Sequence, residues 1–293
     1  MPYKTEHWKL AVIEHDRASK RIKEFFTKIW ADDIILHYVN WSRSQTKKGI
    51  IKETPDLGKQ KGKILTLYGD GGYHHYTYGL CLKVAKRKSK DYIYVHADNH
   101  TDARKCDDPI GCGSFVEDIA DKPRAKDILL LGTTYGSNEK NRTIVTVETL
   151  TSKNAKEDLR KALKAKQQKD VYASFDLDVL NGIEITTSYG TGNLSLENLL
   201  DAIEVISEEK NIISADILGL TGRIKRHDID LEYTEPISLL TYAVLAAKIT
   251  GKDTKELEKL RGYFKNKEVY ADNLRERVLL REEFRKITEQ LKV

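Results

Sequence analysis

Short apolar runs rich in β-branched and aromatic residues recur along the chain, each of strand length and each bounded by polar or turn-forming residues. Eight of them read as buried strands: Leu10 to Ile13, Asp33 to Val39, Ile64 to Tyr68, Tyr92 to Ala97, Ile128 to Gly132, Thr143 to Thr149, Val171 to Phe175 and Ile212 to Leu218. Helical spacing appears between them. Arg17 to Trp30 places Ile22, Phe25, Phe26 and Ile29 on one face, Lys153 to Lys166 is strongly charged, and Ser195 to Glu208 opens on a degraded capping box, Ser195-x-x-Asn198. Pro236 to Thr250 is apolar nearly all round, the pattern of a buried helix. Strands alternating with helices predict an α/β fold: three αβα layers around a mostly parallel sheet of about eight strands, with ligands gathering beyond the strands' carboxyl ends.

From Gly251 the pattern changes to two charged helices, Thr254 to Lys265 and Asn273 to Leu291, with an apolar stripe that includes Leu257, Leu260, Leu274, Phe284 and Ile287. No Pro- or Gly-rich linker and no internal repeat divides the chain, so residues 1–250 are expected to form one domain and 251–293 a helical extension packed on it. The same stripe leaves a homo-oligomer contact open.

Composition narrows the class. With 293 residues, 40% apolar and 32% charged, the chain can bury a full core and is neither disordered nor membrane-embedded in pattern. The net charge of +5 comes from 50 basic and 45 acidic residues well interspersed, too mild a balance for a nucleic-acid partner. No apolar window reaches membrane-spanning length and no signal-peptide pattern opens the chain, so the expectation is a cytoplasmic protein acting on a small molecule. Three cysteines, Cys81, Cys106 and Cys112, are an odd number for a disulfide framework and fit a reducing compartment.

The chemistry lies where the strands end. Asp98-Asn99-His100-Thr101-Asp102 follows one apolar run, Asp176-Leu177-Asp178 ends another, and His74-His75 follows a third. Carboxylates and imidazoles crowded this way cost stability unless a cation holds them. In an extended stretch side chains alternate, so Asp98, His100 and Asp102 are expected on one side and Asp176 and Asp178 likewise. Hard oxygen donors with a minority of imidazole suit Mn2+ or Fe2+ better than a thiol-bound zinc. Four aspartates and two histidines are more donors than one ion needs, which points to a two-metal site.

Three motifs in order then resemble the arginase and agmatinase (ureohydrolase) family. Gly71-Gly72-Tyr73-His74-His75 is similar to its G-G-D-H-S, Asp98 to Asp102 to its D-A-H-x-D, and Ser174-Phe175-Asp176-Leu177-Asp178 to the start of its S-x-D-x-D-x-x-D-P. The resemblance covers roughly residues 8 to 250 and implies an arginase-like fold. It also implies two divalent ions, Mn2+ first with Fe2+ or Zn2+ as alternatives. One would be held by His74, Asp98, Asp102 and Asp176, the other by His100, Asp98, Asp176 and Asp178. The implied activity is hydrolysis of a linear C–N bond, amidine or amide, by a hydroxide bridging the metals. His75 and Asp102 are the candidate catalytic side chains. Tyr189, Thr191 and Asn193 fall where the family places a substrate loop, and Arg223 lies near the same mouth.

The departures bear on substrate. Gly219 stands where ureohydrolases carry the acid that receives a guanidinium, Tyr73 and His75 replace a motif aspartate and serine, and the arginase proton-shuttle histidine is missing near Gly111 to Phe115. A guanidinium without that carboxylate loses a charge-assisted bidentate contact, so arginine and agmatine are poor expectations. Two other readings stay open. His74-His75 also resembles the tandem histidines of single-metal deacetylase-like hydrolases, with Asp98, His100 and Asp178 on the metal, and the lost groups would suit a non-catalytic metal-binding relative.

Overall fold

The computed structural model describes residues 7–30, 34–57, 62–87, 91–133, 142–185, 187–221, 223–226, 229–232, 236–269 and 282–288. In chain order the first third contains β1 (Trp8–Glu14), α1 (Arg17–Ile29), β2 (Ile34–Tyr38), β3 (Ser44–Gln45), α2 (Lys47–Glu53), β4 (Lys63–Leu67) and α3 (Tyr76–Arg87). Next come β5 (Tyr92–Ala97), β6 (Ile110–Gly111), α4 (Val116–Ala120), β7 (Ala125–Leu131), β8 (Arg142–Val145), α5 (Val147–Thr151), α6 (Ala155–Lys164) and β9 (Asp170–Asp176). The chain continues with α7 (Leu196–Glu209), β10 (Asn211–Leu218), the hairpin β11 (Arg223–Arg226) and β12 (Ile229–Glu232), α8 (Pro236–Thr250) and α9 (Lys255–Val269).

All eight predicted strands are present and form one sheet in the order β2-β1-β4-β10-β9-β5-β7-β8, with every pairing parallel. The sheet is buried on both faces, as the near-continuous apolar runs require. Period-two alternation sorts its side chains into two cores. Leu10, Val12, Ile93 and Val95 join the helices α1, α7 and α8 on one side, while Ala11, Ile13, Tyr92 and Tyr94 meet Ile50, Tyr78 and Phe115 on the other.

The run Thr143 to Thr149, expected as one strand, divides. β8 ends at Val145, and Thr146 caps a short helix by accepting from the Thr149 amide at 3.3 Å. A β-branched run mimics a strand, and the capping threonine was the overlooked stop signal. Ser195 does cap α7, accepting from the Asn198 amide at 3.2 Å. Of the expected C-terminal helices, α9 is present, and within Asn273 to Leu291 only residues 282–288 are described, as helix. There Phe284 stacks on Phe25 with ring centroids 5.6 Å apart and meets Phe264 edge-on at 5.2 Å, joining the extension to the main core. Among the described residues no helix is long and apolar enough to cross a membrane.

Candidate metal centre

Three loops deliver the expected residues to one place, beyond the carboxyl ends of the four central strands. After β4, Asp70 accepts from the Gly72 amide at 2.9 Å and starts a 3-10 turn over Gly71–Tyr73 that presents His74. After β9, Asp176 accepts from the Asp178 amide at 3.1 Å and starts the 3-10 turn Leu177–Val179. After β5, the Asp98 amide still donates to Leu131 at 3.2 Å, and the chain then leaves the sheet. The extended geometry expected for Asp98 to Asp102 is absent. Asp98 Oδ1 accepts from the His100 amide at 2.6 Å and Asp102 takes a left-handed conformation, φ 48°, so a tight loop rather than strand alternation converges these side chains. The Asn99 amide donates to Asp178 Oδ1 at 3.1 Å and ties this loop to the next.

The six expected ligands converge. His74 Nδ1 lies 3.0 Å from Asp98 Oδ2, 3.1 Å from Asp102 Oδ2 and 3.5 Å from Asp176 Oδ2. His100 Nδ1 lies 3.3 Å from Asp98 Oδ1 and 3.0 Å from Asp178 Oδ2. Asp98 thus turns one oxygen to each imidazole. His74 Nδ1 is buried and has no hydrogen-bond partner of its own. Donors bound at about 2.1 Å to one ion stand roughly 3 Å apart when adjacent, so the spacing around His74 fits a cation. Two groups of donors emerge, His74 with His96, Asp98 and Asp102, and Asp98 with His100 and Asp178.

Electrostatics give the same account. Burial works against ionisation of Asp98, yet His100, His74 and His96 hold it well below the usual carboxylate range. The other acids go the opposite way. Burial and then the Asp98 charge push Asp102 up to about 7 and Asp178 up to about 6, and burial with Asp178 and Asp98 pushes Asp176 well above its ordinary value. His100 is raised to about 11 by Asp178 and then Asp98. A set of acids that cannot all ionise together is the environment a divalent cation relieves.

This fixes a pH dependence. Asp102 and Asp178 titrate at about 7 and 6 in the folded metal-free protein against an ordinary 3.8, so between about pH 4 and 7 these two acids bind more protons in the folded state than in the unfolded chain. Those acids alone make stability fall as pH rises through that window, but His75, lowered to about 4, and His96, also lowered, act with the opposite sign up to about pH 6.5; above it Asp102 and the raised His100 both bind more protons in the folded state, and stability falls. Metal-free protein should lose thermal stability from about pH 6.5 to 8.5, as read by calorimetric Tm in chelator, and saturating Mn2+ should flatten the trend; a rising metal-free Tm contradicts this assignment.

Behind the expected ligands is a polar layer absent from the sequence reading. His74 Nε2 lies 2.9 Å from Ser174 Oγ, and Asp216 of β10 accepts from Ser174 at 2.6 Å, Tyr172 at 2.6 Å and Thr77 at 3.2 Å. Such outer partners fix the imidazole tautomer and orientation. Ser174 was visible as the first letter of a motif and Asp216 as a lone acid in an apolar strand, each a signal for a satisfied buried group.

A cavity of about 370 Å3 opens over the cluster, lined by Gly71, Asp98, His100, Thr101, Asp102, Arg104, Cys112, Gly113, Asp176, Asp178 and Tyr189. Tyr189 of the predicted substrate loop reaches it and accepts from Arg43 Nη1 at 2.6 Å, while Arg43 Nη2 lies 3.3 Å from Asp70. Thr191 and Asn193 are exposed and do not line the cavity. Arg223 lies in β11, but its side chain is outside the described residues. His75 is brought to the neighbourhood without facing the cavity. Its Nε2 lies 3.1 Å from the Ser42 carbonyl and burial lowers it to about 4, because adjacent residues in a helical turn point in different directions. The tandem arrangement of a deacetylase-like site is therefore not formed. Arg104 and His96 are the residues the sequence reading passed over. Arg104 sits two positions past Asp102, its amide donating to the Gly113 carbonyl at 3.2 Å, and where a shuttle histidine was sought the wall has Cys112 and Gly113.

A sequence model of the arginase family matches residues 9–229, three quarters of the chain. This chain belongs to the arginase family. An uncharacterised protein of Thermotoga maritima is 33% identical over 156 residues, covering 53% of this chain and 57% of that protein, little more than half its length. Solved structures of other arginase-family proteins share the fold. A hypothetical agmatinase of Burkholderia thailandensis superposes with TM-score 0.63 at 16% identity, covering 88% of this chain and 87% of the other. Formimidoylglutamase of Bacillus subtilis gives 0.62 at 16% identity with 85% and 88% covered, and an Entamoeba histolytica arginase 0.61 at 14% with 86% and 100%.

Proposed function

We propose that this arginase-family chain hydrolyses a linear C–N bond of an anionic, non-guanidinium substrate with two divalent ions, Mn2+ first. The carrying observation is Asp98, whose two oxygens face His74 and His100 separately and so join two donor groups through one carboxylate. His74, Asp98, Asp102 and Asp176 would hold one ion and His100, Asp98, Asp176 and Asp178 the other. When bound, such a pair supplies Lewis acidity and lowers the pKa of a water toward neutrality. Without the ions Asp102 and Asp178 hold their protons up toward neutral pH, so binding of the ions would displace protons from both.

The substrate class follows from the wall. At Gly219 a Cβ would stand 2.3 Å from Asp176 Oδ1 and 2.7 Å from the Leu177 amide nitrogen, with φ +103°. A guanidinium-receiving acid therefore has no room there. Arg104 is instead the cavity's cationic side chain, exposed and without a carboxylate partner among the described residues. A carboxylate-bearing amidine or N-acyl amino acid of cavity size matches that arrangement, and the relative named formimidoylglutamase is similar in fold. Mn2+-loaded protein should release amine or ammonia from formimidoyl- or formyl-glutamate faster than from agmatine. Arg104→Gln should raise KM roughly 10- to 100-fold with little change in kcat, the cost of one bidentate charged contact. Failure to bind any divalent metal, or a preference for agmatine, would overturn the proposal.

A further inference from the structure

The loop that gives Tyr189 to the cavity wall has little packing of its own. Ser188, Tyr189, Gly190 and Thr191 are exposed, and Gly190 is left-handed, φ +94°, with nothing within 4 Å of where a Cβ would stand. Polar contacts hold the loop instead, and they converge on the 3-10 turn that presents His74. Ser188 Oγ donates to Asp70 Oδ2 and lies 2.8 Å from Thr221 Oγ1. Tyr189 Oη accepts from Arg43 Nη1 at 2.6 Å, and Arg43 Nη2 lies 3.3 Å from Asp70 Oδ1, the oxygen that also accepts from the Gly72 amide. The Arg43 guanidinium carbon stands 5.3 Å from the ring centre of Tyr73, the residue that replaces the motif aspartate. Three groups thus meet one guanidinium, whose planar fork serves Tyr189 and Asp70 at once.

The base of Arg43 is fixed. It directly precedes β3, whose Ser44 pairs with Gly111 of β6, and β6 leads into Cys112 in the cavity wall. Beneath the contact, Gly72 makes the crossing possible. A Cβ there would stand 2.6 Å from Tyr189 Oη and closer still to Arg43 Nη1, so a side chain at residue 72 would displace both. We infer that Arg43 is a positioning residue: it clamps Tyr189 across the Gly72 turn as the outer wall of the cavity, and so limits the size of substrate that the cavity takes. This goes beyond the proposed reaction and takes over from it only the identification of the cavity as the substrate site. The Arg43 side chain is 56% exposed, so water competes for its bonds and the clamp is a releasable one. Tyr189 is then the movable wall, and Cys112 beside β6 the fixed one.

The Cys112 thiol reports the width of the cavity without metal or turnover. In the full chain carrying Cys106→Ser, with Cys81 buried, labelling by iodoacetamide is compared with labelling by the bulkier N-phenylmaleimide. Arg43→Met and Tyr189→Phe should each raise the bulky-to-small rate ratio roughly 3- to 10-fold, the population shift expected from losing one partly exposed charge-assisted hydrogen bond. The double variant should do no more than either alone, because both changes cut the same bond. A thiol that stays as closed to N-phenylmaleimide in Arg43→Met as in the parent, a Tyr189→Phe protein that behaves like the parent, or a double variant whose effect is the product of the two overturns the inference. With Mn2+, Arg43→Met should lower KM for N-acyl amino acids with bulky acyl groups relative to N-formyl ones, with the kcat ratio unchanged; a KM ratio equal to the parent's counts against the clamp. A protein that turns over none of these compounds fails the proposed function instead, and the labelling rates still decide the clamp.

Discussion

Asp176→Asn is expected to cost the protein its divalent ions while leaving the metal-free fold as stable as the parent or more so, whereas Asp98→Asn should lose both the ions and stability. The two acids are buried side by side, and both would be ligands. Their surroundings are opposite. Asp98 is the carboxylate that three imidazoles stabilise, so a neutral amide there removes the counter-charge that His74 and His100 share and leaves them to Asp102 and Asp178 alone. Asp176 is pushed well above the normal carboxylate range by burial and by Asp178 and Asp98, so in the absence of metal it gains by carrying no charge. An asparagine keeps Oδ1 for the Asp178 amide and removes only the charge. Metal affinity, titrated against a competing chelator, should fall in both variants by more than the roughly 10- to 100-fold loss that an outer partner causes. Urea denaturation in chelator should separate them by sign; an Asp176→Asn protein clearly less stable than its metal-free parent would refute this account of the cluster.

Gly219→Glu, the change that restores the family's guanidinium-binding acid, should not create agmatine hydrolysis. It should instead displace metal and destabilise the fold. Any Cβ at this position meets Asp176 Oδ1 at 2.3 Å and the Leu177 amide at 2.7 Å, and φ is +103°. The Gly219 amide is also fixed to the Gly69 carbonyl at 2.9 Å, so the backbone cannot swing away without giving up that bond. Backbone strain and overpacking at roughly 1–3 kcal/mol each set the expected loss at about 2–6 kcal/mol. Gly219→Ala isolates the backbone and Cβ cost from the charge. Denaturant midpoint and Mn2+ content are the readouts, and a Gly219→Ala protein that keeps both parental values removes the steric argument against a guanidinium subsite.

Much of the fold was legible because a sheet covered on both faces writes itself as short apolar runs, and β1, β2, β4, β5, β7, β9 and β10 all lie where such runs predict. The helix α5 was not, because Val147 and Thr149 carry strand-like side chains and a single capping threonine decides the outcome. Which acids and histidines gather at one place was legible from motif and position. Their geometry was not: the left-handed Asp102 and the paired aspartate-started turns depend on hydrogen bonds between loops distant in sequence. His96 was hidden inside an apolar run, where a histidine reads as one more strand residue, although Tyr94-x-His96-x-Asp98 has the spacing of a shared face. His75 shows the reverse error, since adjacency in sequence to a ligand does not give adjacency in space within a turn.

The hydroxyls gathered on Asp216 have a consequence for how this protein would look to saturation mutagenesis. Thr77, Tyr172 and Ser174 all donate to one buried carboxylate, and of these hydroxyls the one on Ser174 goes on to meet the imidazole of an expected ligand, His74. Removing any of the three leaves a charged acceptor short of a donor in the middle of the sheet, a cost comparable to damage in the cavity above. A map of intolerant positions would therefore extend two shells below the cavity and draw an outline larger than the chemistry. Residues that never approach a substrate would score beside those that do, and the two sets would part only when metal affinity is measured separately from folding.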